Sequence, residues 1–145
     1  MSAASFARER RIRFSDCDPA GIVFYPQYFV MFNGLVEDWF TDDLGVDYAA
    51  LVVQRRIGLP TVRLEVDFRA VSRLGDRVTL ALEPARLGRR SITLQLACTG
   101  ENGDTRMTMR QVLVATSLAT HESMDIPPDV RAAIEELRSA DAASH

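Results

Sequence analysis

The chain has 145 residues, a formal net charge of −3, and 47% hydrophobic against 26% charged residues. This composition is typical of one soluble globular domain, here residues 1–145, and excludes a disordered chain. The acidic balance argues against a general nucleic-acid-binding protein. No apolar run reaches the ~18–20 residues that span a bilayer, and the N-terminus is charged where a signal peptide is apolar. We therefore expect a cytoplasmic protein with no membrane partner.

The residue composition excludes further classes of enzyme and binding site. All 17 basic residues are arginine, so neither a Schiff-base lysine nor a phosphate-loop lysine exists here. Cys17 and Cys98 form no CxxC pair and no disulfide framework, and no metal site is predicted. The two histidines, His121 and His145, come late in the chain and leave Cys17 without an activating neighbour. We interpret both cysteines as small apolar residues, His121 as a loop residue and His145 as part of a disordered terminus.

The first predicted elements are a strand, a turn and a long helix. The strand covers residues 8–14 and is charged except at its apolar end, Ile12 and Phe14. The helix covers residues 25–40, with Pro26 in the first turn, where its missing N–H costs nothing. Its polar positions form one narrow stripe: Asn33, Gly34, Glu37 and Asp38. Because a surface helix carries a broad polar face, this pattern predicts a central helix that is wrapped on most of its circumference.

Strand patterns dominate the rest of the chain, at residues 62–70, 78–82, 92–98 and 107–117. The first of them alternates strictly between apolar and charged residues, which predicts a strand with one solvent-facing side. Asn102-Gly103 is a strong hairpin signal before the last strand. A short C-terminal helix is predicted at about 127–138, with an apolar stripe of Val130, Ile134 and Leu137. The order predicts an α+β fold in which a five-stranded antiparallel sheet wraps around a long central helix.

The loop before the helix carries two carboxylates, Asp16 and Asp18, and then large apolar residues. On its own, such a loop is as compatible with a turn and a helix cap as with chemistry. A helix N-terminus, however, presents free backbone N–H groups and the positive end of the helix dipole. A carboxylate beside it supplies two parts of an acyl-transfer site, a base or nucleophile and an oxyanion stabiliser.

The same loop carries a long motif. It resembles the signature of the hot-dog-fold acyl-CoA thioesterases, specifically the 4-hydroxybenzoyl-CoA thioesterase family, through Asp16-Cys17-Asp18-Pro19-Ala20-Gly21-Ile22-Val23-Phe24-Tyr25-Pro26-Gln27-Tyr28. The corner at Phe68, Ala70, Gly75, Asp76 and Val78 is also similar, although Val71 stands where the family often has proline. The resemblance extends from about Arg10 to Ser117.

The resemblance implies a role for several residues of this motif. Asp18 becomes the catalytic carboxylate, as nucleophile or as general base. The backbone N–H of Tyr25 becomes the donor to the thioester carbonyl, and Gly21 allows the thioester to approach the chain closely. Asp16 becomes a residue that stabilises the loop.

The resemblance also implies how the substrate binds. Phe24, Tyr28 and Asn33 are expected to contact it, and aromatic side chains in the motif favour a flat aromatic or a short acyl group. Arg89, Arg90 and Ser91 are expected at the coenzyme A phosphates, because guanidinium groups bind phosphate through paired hydrogen bonds. A second arginine pair, Arg55 and Arg56, is interpreted as surface.

The resemblance implies a homodimer with a continuous sheet, commonly paired into a homotetramer, with active sites at the dimer seam. A partner chain is expected to line the acyl site with residues around 56–61. Coenzyme A enters as part of the substrate, and no other cofactor is expected.

Two other functions share this fold. Hydratases and dehydratases need a histidine beside the helix N-terminus, and residues 1–120 contain none. A non-catalytic module that binds acyl-CoA or acyl-carrier protein remains open, although Asp18 argues against it.

Overall fold

A computed structural model of the chain, which describes residues 5–143, confirms one antiparallel sheet with a helix packed against it. The strands are β1 (Phe6–Arg11), β3 (Thr61–Phe68), β4 (Arg77–Leu87), β5 (Ser91–Gly100) and β6 (Thr105–Val114). They lie in the order β1-β4-β5-β6-β3. A short pair, β2 (Ile57–Gly58) and β7 (Thr116–Ser117), lies outside this sheet. The helices are α1 (Pro26–Asp38) and α2 (Pro128–Ala143), so α2 ends five residues later than the sequence pattern predicts.

Helix α1 buries one face against the sheet. Tyr28, Met31, Phe32, Leu35 and Val36 form this face. A π-helical segment, Trp39–Leu44, then adds two fully buried rings, those of Trp39 and Phe40. The polar stripe is exposed as predicted, but Val30 is also 60% exposed. The prediction that the helix is wrapped on most of its circumference is therefore wrong for the single chain, because one sheet covers only one side of a helix.

Strand β3 is an edge strand, bonded to β6 on one side only. Its predicted apolar face is the side that faces the helix layer, yet Leu64 and Phe68 are exposed there. A register shift between Thr61 and Arg63 leaves Val62 without a cross-strand partner, which breaks the predicted alternation at that residue. The strand therefore has two exposed faces rather than one, because it lies beyond the area that α1 covers.

The N-terminal strand also differs from its prediction. It ends at Arg11, and Phe14 belongs to a 3₁₀ turn, Phe14–Asp16, where its side chain is 80% exposed. Ile12, which follows the strand, is fully buried as the pattern predicts. Within residues 5–143, no helix combines the length and the apolar character that crossing a membrane requires.

Candidate active site

The loop before α1 folds into a small hairpin. A bridge between Cys17 and Val23 and a bond from the Asp18 N–H to the Ile22 carbonyl, at 3.0 Å, join its two arms. Asp18 is half-buried at the turn, where its Oδ1 accepts a 2.8 Å hydrogen bond from the Ala20 N–H. No protein donor reaches Oδ2 of Asp18 in the part of the chain that the structure describes. One carboxylate oxygen is thus fixed by the turn and the other is free for chemistry.

Gly21 is required by the shape of this turn. Its φ of +76° lies in the left-handed region, and a Cβ built there would meet no atom within 4 Å. Conformation rather than space within the chain therefore favours glycine. The close approach of a thioester to Gly21, which the resemblance implies, stays a prediction.

The first residues of α1 leave one backbone donor unused. Pro26 opens the helix and has no N–H. The Phe24 N–H donates to the Asp16 carbonyl at 2.9 Å, and the Gln27 N–H donates to the Phe24 carbonyl at 2.8 Å. The Tyr25 N–H donates to no protein acceptor among residues 5–143. It lies at the positive end of the helix dipole, where an oxyanion is stabilised.

The other two residues of the loop that could carry chemistry are Asp16 and Cys17. Asp16 is buried, and its Oδ2 accepts bonds from Arg10 Nη2 at 2.7 Å and from the Arg13 N–H at 2.8 Å. This arrangement supports the loop-stabilising role. The pKa of Cys17 lies above its ordinary value, because burial and then the Asp16 and Asp18 carboxylates disfavour the thiolate. A protonated thiol is a poor nucleophile.

An aromatic cavity of about 240 Å³ lies beside the start of α1. Tyr25, Tyr28 and Phe68 line it, and the Phe68 ring lies 6.1 Å from the ring of Tyr25 and 6.2 Å from that of Tyr28. Phe24 is exposed and does not line this cavity in the single chain, although its ring packs edge-on against Tyr25. Of the predicted substrate contacts in the motif, Tyr28 is therefore at the cavity and Phe24 is outside it.

Asn33 lies further along α1, at a second cavity of about 350 Å³. This cavity separates the helix from the start of β3 and is also lined by Glu37, Thr61 and Gln111. Gln111 is 5% exposed and donates through Nε2 to Thr61 Oγ1 at 2.7 Å. Polar side chains therefore line much of this second cavity, whereas aromatic rings line the first.

Arg89 and Arg90 lie in the turn between β4 and β5. Both reach the same oxygen of Asp125, at 3.3 Å and 3.1 Å. Arg89 borders a cavity of about 700 Å³, which Arg55 and Arg131 also line. Both arginines of the turn are exposed, as a phosphate site requires.

The remaining polar residues around this turn have structural partners. The Ser91 carbonyl closes the turn by accepting from the Gly88 N–H at 2.8 Å, and Ser91 does not line the cavity. Arg55 is held by both oxygens of Asp129, at 2.8 Å and 2.9 Å. Arg56 is exposed with a φ of 55°, so this second pair lies at the surface as interpreted.

The structure does not bring the two groups of predicted site residues together within one chain. The loop of Asp18 is bonded to Ser72, just after the end of β3, because the Val23 N–H donates to the Ser72 carbonyl at 2.9 Å. Phe68 shares a cross-strand row with Cys98 of β5, whereas Arg90 directly precedes the first residue of β5. Cys98 lies seven positions after Ser91 in β5, about 24 Å at ~3.4 Å per residue. The carboxylate and the arginines lie at opposite ends of the sheet.

The sequence analysis missed several residues near the start of α1. Ser72 is bonded to the Asp18 loop through its carbonyl, and its hydroxyl oxygen accepts hydrogen bonds from Tyr28 and Arg106. Arg106 is a basic residue beside a hairpin, and its sequence context does not indicate that it contacts Ser72. Gln111 did leave a signal, because it interrupts the inward-facing row of β6, which is otherwise Met107, Met109 and Leu113.

Cys98 and His121 lie where the sequence interpretation expects them. Cys98 is fully buried, and burial raises its pKa to about 11. His121 lies exposed in the loop after β7. His145 lies outside the described residues.

Comparisons with known proteins show which family this chain belongs to. A sequence model of the family described as the Thioesterase-like superfamily matches residues 12–134. A 1,4-dihydroxy-2-naphthoyl-CoA hydrolase from Crocosphaera subtropica is 26% identical over 125 residues, 84% of this chain and 82% of that protein. A 4-hydroxybenzoyl-CoA thioesterase from Pseudomonas sp. is 30% identical over 111 residues, 74% of this chain and 79% of that protein. The solved structure of a gentisyl-coenzyme A thioesterase superposes with a TM-score of 0.79 at 26% identity, covering 89% of this chain and 99% of that one.

Proposed function

Since the chain belongs to the Thioesterase-like superfamily and is an acyl-CoA thioester hydrolase of the hot-dog fold, we propose that it cleaves aromatic acyl-CoA thioesters with Asp18 and the Tyr25 N–H. Hydrolysis consumes one water and yields the free carboxylic acid and the thiol of coenzyme A. The observation that carries the proposal is a pair of groups without a protein partner among residues 5–143, one on the hairpin and one at the helix start that follows it. These are Oδ2 of Asp18 and the N–H of Tyr25.

The chemistry assigned to these groups has two routes. In the first, Asp18 attacks the thioester carbonyl and expels the thiolate, and water then hydrolyses the resulting mixed anhydride. In the second, Asp18 removes a proton from water, which attacks the carbonyl directly. In both routes negative charge develops on the carbonyl oxygen, and the Tyr25 N–H at the helix N-terminus stabilises it.

The aromatic acyl group is supported by the cavity beside this pair. A site lined by the rings of Tyr25, Tyr28 and Phe68 offers edge and face contacts to a flat ring, and such contacts stabilise aromatic pairs beyond simple burial. The names of the relatives point the same way, since 4-hydroxybenzoyl, 1,4-dihydroxy-2-naphthoyl and gentisyl groups are all hydroxylated aromatic acyl groups.

The proposal places the complete site between two copies of the chain. Edge strand β3 has exposed apolar side chains and no strand on its outer side, an arrangement that proteins avoid by pairing or covering the edge. Antiparallel pairing of β3 with its copy, centred on the strand, sets Thr61 opposite Phe68 of the partner subunit. The arginine end of one chain then lies beside the Asp18 end of the other. In the same two-fold arrangement, Asn33 and the polar cavity of one chain lie next to the aromatic cavity of the other chain.

In this dimer, one acyl-CoA contacts both chains. Its phosphates bind Arg89 and Arg90 of one chain, and its thioester lies at Asp18 of the other. Paired guanidinium groups suit phosphate oxygens. The dimer is the unit that the proposal requires. A homotetramer would be two such dimers.

A panel of acyl-CoAs tests the proposal through release of free thiol. We expect kcat/KM for benzoyl-CoA and 4-hydroxybenzoyl-CoA to exceed that for butyryl-CoA at least tenfold, with phenylacetyl-CoA between them. Replacing Phe68 by leucine should lower this ratio, whereas Phe14→Leu, at an exposed ring that does not line the cavity, should leave it unchanged. A preference for butyryl-CoA would contradict the aromatic assignment. Tight binding of every thioester without thiol release would support the non-catalytic module instead.

A further inference from the structure

A buried chain of hydrogen bonds connects strand β6 to the first turn of α1. Arg106 Nη1 donates to Ser72 Oγ at 3.2 Å, and the Tyr28 hydroxyl donates to the same oxygen at 2.8 Å. Ser72 and Tyr28 are both buried, and the Arg106 side chain is only 13% exposed. The chain therefore joins three side chains that are far apart in sequence, and it ends one turn into the helix that begins beside Tyr25.

Arg106 is itself held from the other side. Its Nε donates to Asp104 Oδ2 at 2.6 Å, and its Nη1 donates to Asp76 Oδ2 at 2.8 Å and to the Val71 carbonyl at 3.1 Å. These carboxylate hydrogen bonds raise the pKa of Arg106. A largely buried charge is costly unless it is paired, so the two carboxylates leave the guanidinium group one favourable position.

The segment that Arg106 holds also carries the catalytic loop. The Ser72 carbonyl accepts from the Val23 N–H at 2.9 Å, and the Leu74 N–H donates to the Gly21 carbonyl at 2.9 Å. The loop of Asp18 is thus fixed to residues 72–74 by its backbone, while the helix is fixed to Ser72 by the Tyr28 hydroxyl. Ser72 is therefore bonded to both the loop and the helix.

We propose that Arg106, acting through Ser72 and Tyr28, is a positioning residue that sets the Tyr25 N–H relative to Asp18. The inference rests on the proposed function, since it concerns the two groups assigned to the chemistry. Arg106 touches neither group. Its effect is on geometry, and a misplacement of 1 Å at a reacting centre can cost ~10²-fold in rate.

The first test is the kinetics of three variants on a good substrate. Tyr28→Phe removes the bond between Tyr28 and Ser72, and Ser72→Ala removes both bonds to Ser72 Oγ. Both substitutions retain most of the side-chain volume. We expect each to lower kcat about tenfold while KM stays within twofold. Arg106→Met should lose at least as much, and Arg106→Met/Tyr28→Phe should be no worse than Arg106→Met, because both changes cut the same path. The matched control is Arg110→Met, the same substitution at an exposed position of the same strand.

The second test does not depend on turnover. Amide hydrogen exchange at Val23 and Gln27 should become at least tenfold faster in Arg106→Met and in Tyr28→Phe, and should be unchanged in Arg110→Met. Wild-type protein that releases no thiol from any acyl-CoA would defeat the proposed function, and the exchange measurement would then still decide the inference. Tyr28→Phe and Ser72→Ala proteins with wild-type kcat and wild-type exchange at these amides would overturn it.

Discussion

Asp18 and Arg90 lie at opposite ends of the five-stranded sheet within one chain. Asp18 belongs to the loop that is bonded to Ser72, beyond the end of β3, and Arg90 directly precedes the start of β5. The rows of the sheet that mark these two ends are about 24 Å apart at ~3.4 Å per residue. If both residues serve one acyl-CoA, the simplest arrangement takes one from each of two chains.

Mixing two impaired variants tests this arrangement. Asp18→Asn protein lacks the reactive carboxylate, and Arg89→Ala/Arg90→Ala protein lacks the phosphate contacts. In a hybrid dimer, one of the two sites combines Asp18 from one chain with both arginines from the other. We expect the mixture, after subunit exchange, to recover up to a quarter of wild-type activity at low acyl-CoA concentration.

The mixing experiment needs its own control. Exchange is verified with differently tagged chains, and a mixture of Asp18→Asn with Asp18→Asn/Arg89→Ala/Arg90→Ala should recover nothing. Verified exchange with no recovery in the first mixture would place both groups in a site of one chain.

Asp125 is expected to weaken coenzyme A binding. It contacts both Arg89 and Arg90 through one oxygen, so a phosphate must compete with it for the same guanidinium groups. Asp125→Asn should therefore lower KM for acyl-CoA two- to fivefold and leave kcat unchanged, because nucleotide contacts are equal in the ground and transition states. The effect should fade in high salt, and it should be absent with an acyl-pantetheine that carries no phosphate. A raised KM would mean that Asp125 orders the arginines for binding.

Leu64 provides the test of the dimer. It lies in the middle of edge strand β3 and is 40% exposed on the helix side. A charge there should oppose pairing of the strand with its copy, so Leu64→Asp should scatter light as a monomer at micromolar concentration where the wild type is a dimer or larger. Val53→Asp, at an exposed residue of the helical segment Ala50–Gln54, is the matched control and should not change the mass. A monomeric wild type would refute the shared site.

The Asp76 carboxylate predicts part of the acid sensitivity of the fold. The Arg73 N–H and then Arg106 hydrogen bond to it and lower its pKa below the ordinary 3.8. A lowered folded-state pKa stabilises the protein above the unfolded-state value, and that stability is lost as the pH falls through the folded-state value. The Tm difference between wild type and Asp76→Asn should be constant above about pH 5 and should shrink below 3.8. A difference that does not depend on pH would show that the ionised carboxylate contributes nothing.

Much of the fold was predictable because its patterns are local. Asn102-Gly103 marks the hairpin between β5 and β6, and the inward-facing residues of β4, β5 and β6 alternate with strand periodicity. Helix α1 begins at Pro26, whose place in a first turn the sequence predicts. The exposure of Val30 and of β3 was not predictable, since it depends on how much of a helix one sheet can cover. Apolar patterns show which faces avoid water, but they do not say whether the same chain covers them.

The residues of the candidate site also differ in how far the sequence could predict them. The positions of Asp18, Gly21 and Tyr25 in one hairpin and helix start were predictable because they are close in sequence, whereas their catalytic roles stay predictions. Ser72 and Arg106 were not predictable, because their contacts join residues more than 30 positions apart in sequence. Phe24 was assigned to the substrate on its residue type alone, and within one chain its ring lies outside the aromatic cavity.

The most direct measurement is the kcat of Asp18→Asn on the best aromatic acyl-CoA. Asparagine is nearly isosteric with aspartate, but its amide is neither a base nor a useful nucleophile, so we expect kcat to fall by at least ~10²–10⁴-fold while the folded protein still binds acyl-CoA. Tyr25→Phe should be mild, because the proposed donor is the backbone N–H. A folded Asp18→Asn protein that keeps more than about a tenth of wild-type kcat, well outside that range, would contradict the account.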